Sequence, residues 1–232
     1  LSGNRYFAES VAEGVLAYML FALRDMGFHS SALKNGIWHS DTKTEGLLEQ
    51  SVGLISLGAI AKYVIELAKP FRIKFKVYST APDLNYAQKM GFQYASKEEI
   101  FSTCKIVSVH TAANAETKNF IDEVHLSLLK EGSIFINTAR AMVVNEKALI
   151  NQLKTGRFRA VLDVFTEEPL PADSEFLKLD NVMLFPHQAG PTYDKRPQIT
   201  NYLIDDIEQF LAGGKMLNEI TKEQASFMTQ TT

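Results

Sequence analysis

The chain has one cysteine, Cys104, among 232 residues. No disulfide can form within it, so a disulfide-stapled scaffold is excluded; a single thiol fits a reducing compartment, and a cytoplasmic location is expected. It also lacks an excess of basic residues. The 24 lysines and arginines stand against 27 acidic residues, a formal net charge of -3, which leaves no electrostatic footprint for nucleic acid. Long apolar runs are missing too. The most apolar early stretch, Val11 to Leu23, is interrupted by Glu13 and followed by Arg24 and Asp25. It reads as too short and too charged at its ends to span a bilayer, so no membrane partner is expected. The opening "LSGNRYF" has neither a basic n-region nor a secretory h-region. Its position just before a helix suggests an upstream region. The five histidines show no ligand spacing and Cys104 has no local partner, so no metal site is expected. No internal repeat or low-complexity segment is found.

With 46% hydrophobic and 22% charged residues, the chain can bury a sizeable core. "FAESVAEGVLAYMLFALRDMGF" (7–28) reads as one long helix, with apolar groups at Val11, Val15, Tyr18, Met19, Ala22 and Met26. Leu16, Leu20 and Leu23 make a second face apolar, so this helix needs burial on two sides, either at a subunit interface or deep in its own domain. A polar loop follows at 35–46, where Trp38 reads as a packing residue. From Ser51 the chain alternates. Strands are expected at Val52–Leu57, Ile73–Tyr78, Ile106–His110, Ser133–Asn137, Ala160–Val164 and Val182–Phe185. Helices are expected at Ile60–Ala68, 83–91, 97–103, 122–129, Glu146–Thr155 and 197–212. Six such strands alternating with helices predict an α/β fold, a doubly wound parallel sheet covered on both faces. The whole chain, 1–232, is read as one domain. Residues 1–46 form the long helix and loop, 47–190 the core, and 191–232 a terminal helix and tail. The last residues, "SFMTQTT", look frayed.

Ligands of open parallel sheets bind beyond the carboxyl ends of the strands. After the first strand come Ser56-Leu57-Gly58-Ala59-Ile60-Ala61. Gly58 stands where a dinucleotide-binding turn lets backbone approach a pyrophosphate, and Ala61 is tolerated at the third glycine position. Ser56 is the departure: either it tightens the turn less well than glycine, or its hydroxyl bonds nearby backbone. The amino end of the following helix would favour phosphate. After the second strand, Ser79 and Thr80 stand where an acidic residue would grip a ribose; Asp83 is too late, and follows Pro82. His110 follows the third strand, Arg140 the fourth, Glu167 and Glu168 the fifth, and His187 the sixth, with Asp163 inside the fifth. A charge at Asp163 calls for a defined partner. An arginine can bind a carboxylate in bidentate fashion. A histidine can give a proton to a carbonyl oxygen, and a buried carboxylate beside it would stabilise its charged form. Together these suit reduction of a 2-keto acid by a nicotinamide cofactor.

The stretches "ETKNFI", "GSIFINTAR", "VLDVFTEEPLP" and "PHQAG" carry a resemblance. In order and spacing they are similar to the coenzyme-binding part of the D-isomer-specific 2-hydroxyacid dehydrogenases. "HQAGPTYDKR" resembles a phosphoglycerate-dehydrogenase-like subgroup. The resemblance implies a Rossmann-like fold, NAD or NADP as cofactor with the preference open, and a small 2-keto or 2-hydroxy acid substrate. It implies a catalytic set of Arg140 for the substrate carboxylate and keto group, His187 as general acid–base and Glu168 as its partner. It places Leu57, Gly58, Ala59 and Ile60 around the pyrophosphate and Ser79 and Thr80 near the adenosine ribose. His110, Thr111, Thr138, Ala139, Ala189 and Gly190 would line the cofactor site, with Asp163 at the nicotinamide carboxamide. The first helix and the "GIW" loop resemble a homodimer interface. The terminal helix would pack on a substrate domain that the family carries before this region, so the chain reads as a fragment of a longer enzyme.

Departures from the family fall on the cofactor turn: Ser56, Ala59 in place of an arginine, and Ser79 in place of an aspartate. Ala141 and Met142 follow Arg140 where glycines are usual, and the bulk of Met142 is expected to narrow the cleft or move the loop. The altered turn leaves a second reading open, a dinucleotide-binding regulatory or structural homologue of corepressor type with little or no turnover.

Overall fold

A computed structural model describes residues 5–38, 43–216, 219–222, 225 and 228. Seven parallel strands form one sheet in the order β3-β2-β1-β4-β5-β6-β7. They are β1 (Ser51–Ile55), β2 (Lys74–Tyr78), β3 (Gln93–Tyr94), β4 (Ile106–Val109), β5 (Ile134–Asn137), β6 (Arg159–Leu162) and β7 (Val182–Leu184). The helices are α1 (Arg5–Leu23), α2 (Met26–Lys34), α3 (Ala59–Leu67), α4 (Leu84–Met90), α5 (Lys97–Thr103), α6 (Glu123–Ser127), α7 (Glu146–Leu153) and α8 (Arg196–Leu211).

Successive strand side chains point to opposite faces, so the near-continuous apolar runs feed two cores. In β5, Ile134 and Ile136 enter one core with Val15 and Met19 of α1 and Val64 of α3. Phe135 enters the other with Phe101 of α5, Leu126 of α6 and Leu149 of α7. Helices therefore cover both faces, as expected from the alternation. Gly53 is required where α5 crosses β1: a Cβ there would stand 2.2 Å from Ile100 Cγ2.

Four expectations change. A seventh strand, β3, is present; at two residues it is too short to show a periodicity. Leu57, His110, Val164 and Phe185 lie just beyond their strands, and so does Asp163. The long first helix is two, because Asp25 turns left-handed at φ 50 between α1 and α2. Finally, α1 is by length and composition alone long enough to cross a membrane. Its Val11, Val15, Met19, Ala22 and Leu23 are instead buried in the first core.

Its two-sided burial is thus largely met within its own domain. The apolar residues left exposed lie beyond it, at Met26, Phe28 and Leu33 of α2 and at Ile37 and Trp38. α8 likewise exposes Ile204, Ile207, Phe210 and Leu211. Part of the 35–46 loop (39–42) and all but Met228 of "SFMTQTT" lie outside the described residues.

Candidate active site

The chain runs outward from β1 to β2 and β3, then crosses back to place β4 on the other side of β1. The two crossovers diverge there and leave a crevice beyond the carboxyl ends of β1 and β4. Ser56 follows β1 with φ 81, a left-handed conformation that favours glycine. Its Oγ lies 2.9 Å from Thr111 Oγ1. Thr111 in turn donates to the Ile55 carbonyl at 3.2 Å, so Ser56 is the donor to Thr111. The serine thus bonds a side chain from the loop after β4, not the nearby backbone expected from sequence.

Gly58 precedes α3 in extended conformation, and no side chain caps the helix. A Cβ on Gly58 would meet nothing within 4 Å. Free N–H groups at a helix amino end, with open space in front of them, fit a pyrophosphate. Leu57, Ala59 and Ile60 flank this point half-buried. Beyond β2, Ser79 is half-buried and Thr80 exposed. Ser79 Oγ accepts the Ala81 N–H at 3.2 Å. Asp83 caps α4, accepting the Tyr86 N–H at 2.9 Å, so its carboxylate is committed to the helix. His110 lies half-buried after β4, with Nε2 3.1 Å from Ser108 Oγ. Desolvation pushes its imidazole down to about 4.

Three charged residues follow β5, β6 and β7. Asn137, the last residue of β5, shapes the first turn. Its Oδ1 accepts the Ala139 N–H at 3.0 Å and its Nδ2 donates to the Arg140 carbonyl at 3.2 Å. Thr138 is buried, Ala139 half-buried and Arg140 exposed. Arg140 Nη1 donates to the Ala139 carbonyl at 2.7 Å. Met142 is half-buried and packs against the second core.

Glu168 Oε1 accepts the Phe165 N–H at 3.0 Å, and Oε2 lies 2.7 Å from His187 Nδ1. The carboxylate is not the buried one expected: the two side chains are 37% and 43% exposed. Partial desolvation pushes the Glu168 carboxyl up. The His187 hydrogen bond, the Phe165 N–H and the charges of His187 and Arg140 outweigh it and hold the group below the usual carboxylate range. A cleft of about 480 Å³ adjoins the pair, lined also by Phe165, Leu170 and Phe185.

Asp163 is buried. Its Oδ1 accepts from the Tyr18 hydroxyl at 2.8 Å and the Gln188 N–H at 2.7 Å, and its Oδ2 accepts from the Ala189 N–H at 2.9 Å. The partner that a charge at this place demands is therefore α1 together with the segment carrying His187. Ala189 is buried and Gly190 half-buried. Sequence reasoning missed Tyr18, which counts as one more apolar position of a helix. It also missed Asn137, whose signal was an Asn three residues before Arg140.

The D-isomer specific 2-hydroxyacid dehydrogenase, NAD binding domain, matches residues 16–189. The chain is 34% identical over 220 residues to YoaD of Bacillus subtilis (strain 168), covering 91% of this chain and 63% of that protein. It is 33% identical over 209 residues to the D-3-phosphoglycerate dehydrogenase of Methanocaldococcus jannaschii, covering 88% and 39%. It therefore spans less than two thirds of either relative. Among solved structures it superposes on a D-isomer specific 2-hydroxyacid dehydrogenase of Xanthobacter autotrophicus Py2, in complex with NADPH and MES. That match has a TM-score of 0.78 and 27% identity, and covers 92% of this chain and 88% of the other. An acyclic imino acid reductase in complex with NADPH and D-Arg gives a TM-score of 0.82 at 29% identity, covering 93% and 69%.

Proposed function

The chain belongs to the D-isomer specific 2-hydroxyacid dehydrogenases by its NAD binding domain, and from that premise we propose that the protein interconverts a D-2-hydroxy acid and its 2-keto acid. The observation that carries this is the 2.7 Å contact of Glu168 Oε2 with His187 Nδ1 beyond β6 and β7, beside an exposed Arg140 beyond β5.

When bound, a nicotinamide dinucleotide supplies or accepts the hydride. The residues that would hold it are Gly58 and the amino end of α3 at the pyrophosphate, Ser79 and Thr80 at the adenosine ribose, and the loop after β4. Ser79 and Thr80 stand where a carboxylate would reject a 2'-phosphate, which weakens discrimination against NADP. Arg140 binds the substrate carboxylate and orients the keto group. Glu168 engages Nδ1 of His187, which leaves Nε2 to give its proton to the keto oxygen and to take it back in the reverse direction. Glu168 holds the ring in that orientation and balances its positive charge.

Arg140, Glu168 and His187 are all exposed, and chemistry of this kind works best shielded from water. A substrate domain elsewhere in the protein would close over them and cover the apolar face of α8. A second copy would cover the exposed apolar residues of α2 together with Ile37 and Trp38.

The regulatory alternative draws on the altered turn at Ser56 and Ala59. Calorimetric titration of this chain with NADH and NADPH, followed by assay of the full-length protein with D-2-hydroxy acids, separates the readings. Micromolar binding with turnover supports the enzyme, tight binding without turnover supports the regulator, and no binding to a folded chain sinks both.

A further inference from the structure

Four contacts tie α1 to the segment that carries His187. Ser10, buried in α1, accepts the Thr192 N–H on its Oγ at 3.0 Å. Gly14 lies directly against Ala189, where a Cβ would stand 3.2 Å from the Ala189 Cα. The Tyr18 hydroxyl donates to Asp163, whose two oxygens take the N–H groups of Gln188 and Ala189. The Tyr18 ring stacks on Phe185 with centroids 4.3 Å apart and planes at 24°. Ser10, Gly14 and Tyr18 are spaced by four, which puts them in one row on the helix.

His187 sits in the middle of this segment with φ 55. A left-handed non-glycine residue costs about 1 kcal/mol and persists only where its surroundings hold it. The chain on its carboxyl side is held by Asp163, Gly14 and Ser10, and on its amino side by the stacked Phe185.

We propose that the Ser10–Gly14–Tyr18 row of α1 seats the His187 segment, with Tyr18 as a positioning residue that acts on His187 through Asp163. The use of His187 as proton donor rests on the dehydrogenase reading, whereas the clamp stands on geometry alone. Burial, together with the hydrogen bond to Asp163, holds the Tyr18 phenol well above its usual range, so it remains a donor at working pH. The row explains why one helix combines a buried serine, a glycine and a tyrosine at every fourth position: each meets a different part of the same segment.

Tyr18→Phe removes the hydroxyl and keeps the ring that stacks on Phe185. Amide hydrogen exchange of this chain, followed by NMR, is expected to speed up about tenfold at Gln188 and Ala189, with the amides of β1 and β4 unchanged. Gly14→Ala pushes on Ala189 without touching the hydroxyl and is expected to disturb the same amides, which carries the test should Tyr18→Phe not fold. In the full-length protein Tyr18→Phe is expected to lower kcat while the dinucleotide Kd stays within about twofold. Exchange unchanged at both amides, or accelerated equally throughout the sheet, overturns the proposal. Local acceleration in a protein whose parent shows no turnover keeps the clamp and removes the dehydrogenase reading.

Discussion

Ser56 and Thr111 join hydroxyl to hydroxyl beyond the carboxyl ends of the paired strands β1 and β4, at 2.9 Å. The bond spans the point where the two crossover connections diverge. It gives the serine a function that glycine could not have at that place, a link from the turn after β1 to the loop after β4.

Ser56→Ala loses the bond and keeps the left-handed backbone; a loss of about 1–2 kcal/mol is expected. Ser56→Gly loses the same bond but relieves the backbone, and is expected to stay within about 1 kcal/mol of the parent. Urea unfolding ranks the three. An alanine variant as stable as the glycine variant would contradict this account.

His110 gives an acid-side dependence of stability. Its folded pKa of about 4 lies below the ordinary value near 6.5. Between these two values the unfolded chain binds the extra proton, so stability falls as pH falls from about 6.5 to about 4. The loss attributable to this group is expected to be about 1–3 kcal/mol. His110→Asn should flatten that limb of a denaturation series; a series of unchanged slope would mean another group is responsible.

Arg140 is exposed, and its Nη1 donates to the carbonyl of its neighbour Ala139. Arg140→Ala is expected to change stability by less than about 0.5 kcal/mol. Dinucleotide binding should hold within about threefold, while turnover in the full-length protein falls by about a thousandfold, the loss of a charge-assisted bidentate contact made to the reacting substrate. Parallel loss of binding and turnover would make the residue structural.

Gly53→Ala tests the packing of α5 on β1. The new Cβ would stand 2.2 Å from Cγ2 of Ile100, a residue with no exposed surface. A cost of about 1–3 kcal/mol is expected, and thermal unfolding measures it directly.

Much of the fold was legible because its signals are local. The apolar runs of β1, β4, β5 and β6 and the helices between them follow from periodicity, and the parallel order from their alternation. Arg140, Glu168 and His187 were visible as the polar residues that follow strands. What stayed hidden has no local signature. Asp25 breaks the first helix by one backbone angle, while the nearby glycine, Gly27, lies inside α2 and not at the break. Tyr18 and Asp163 are 145 positions apart, and in a helical pattern a tyrosine that donates to a buried carboxylate looks like any other core residue. The openness of the Glu168–His187 pair was equally beyond sequence, since exposure depends on what else covers the loops.

Asp83 caps α4, and Ser79, four residues earlier, accepts the Ala81 N–H. Under the proposed function, structural duty and the contact to the cofactor ribose fall to different side chains of the same loop. A lineage could exchange Ser79 for an acidic or a basic residue without unsettling the helix beside it. The preference between the two dinucleotides becomes a trait that can drift or be selected one substitution at a time, while the fold beneath it stays as it is.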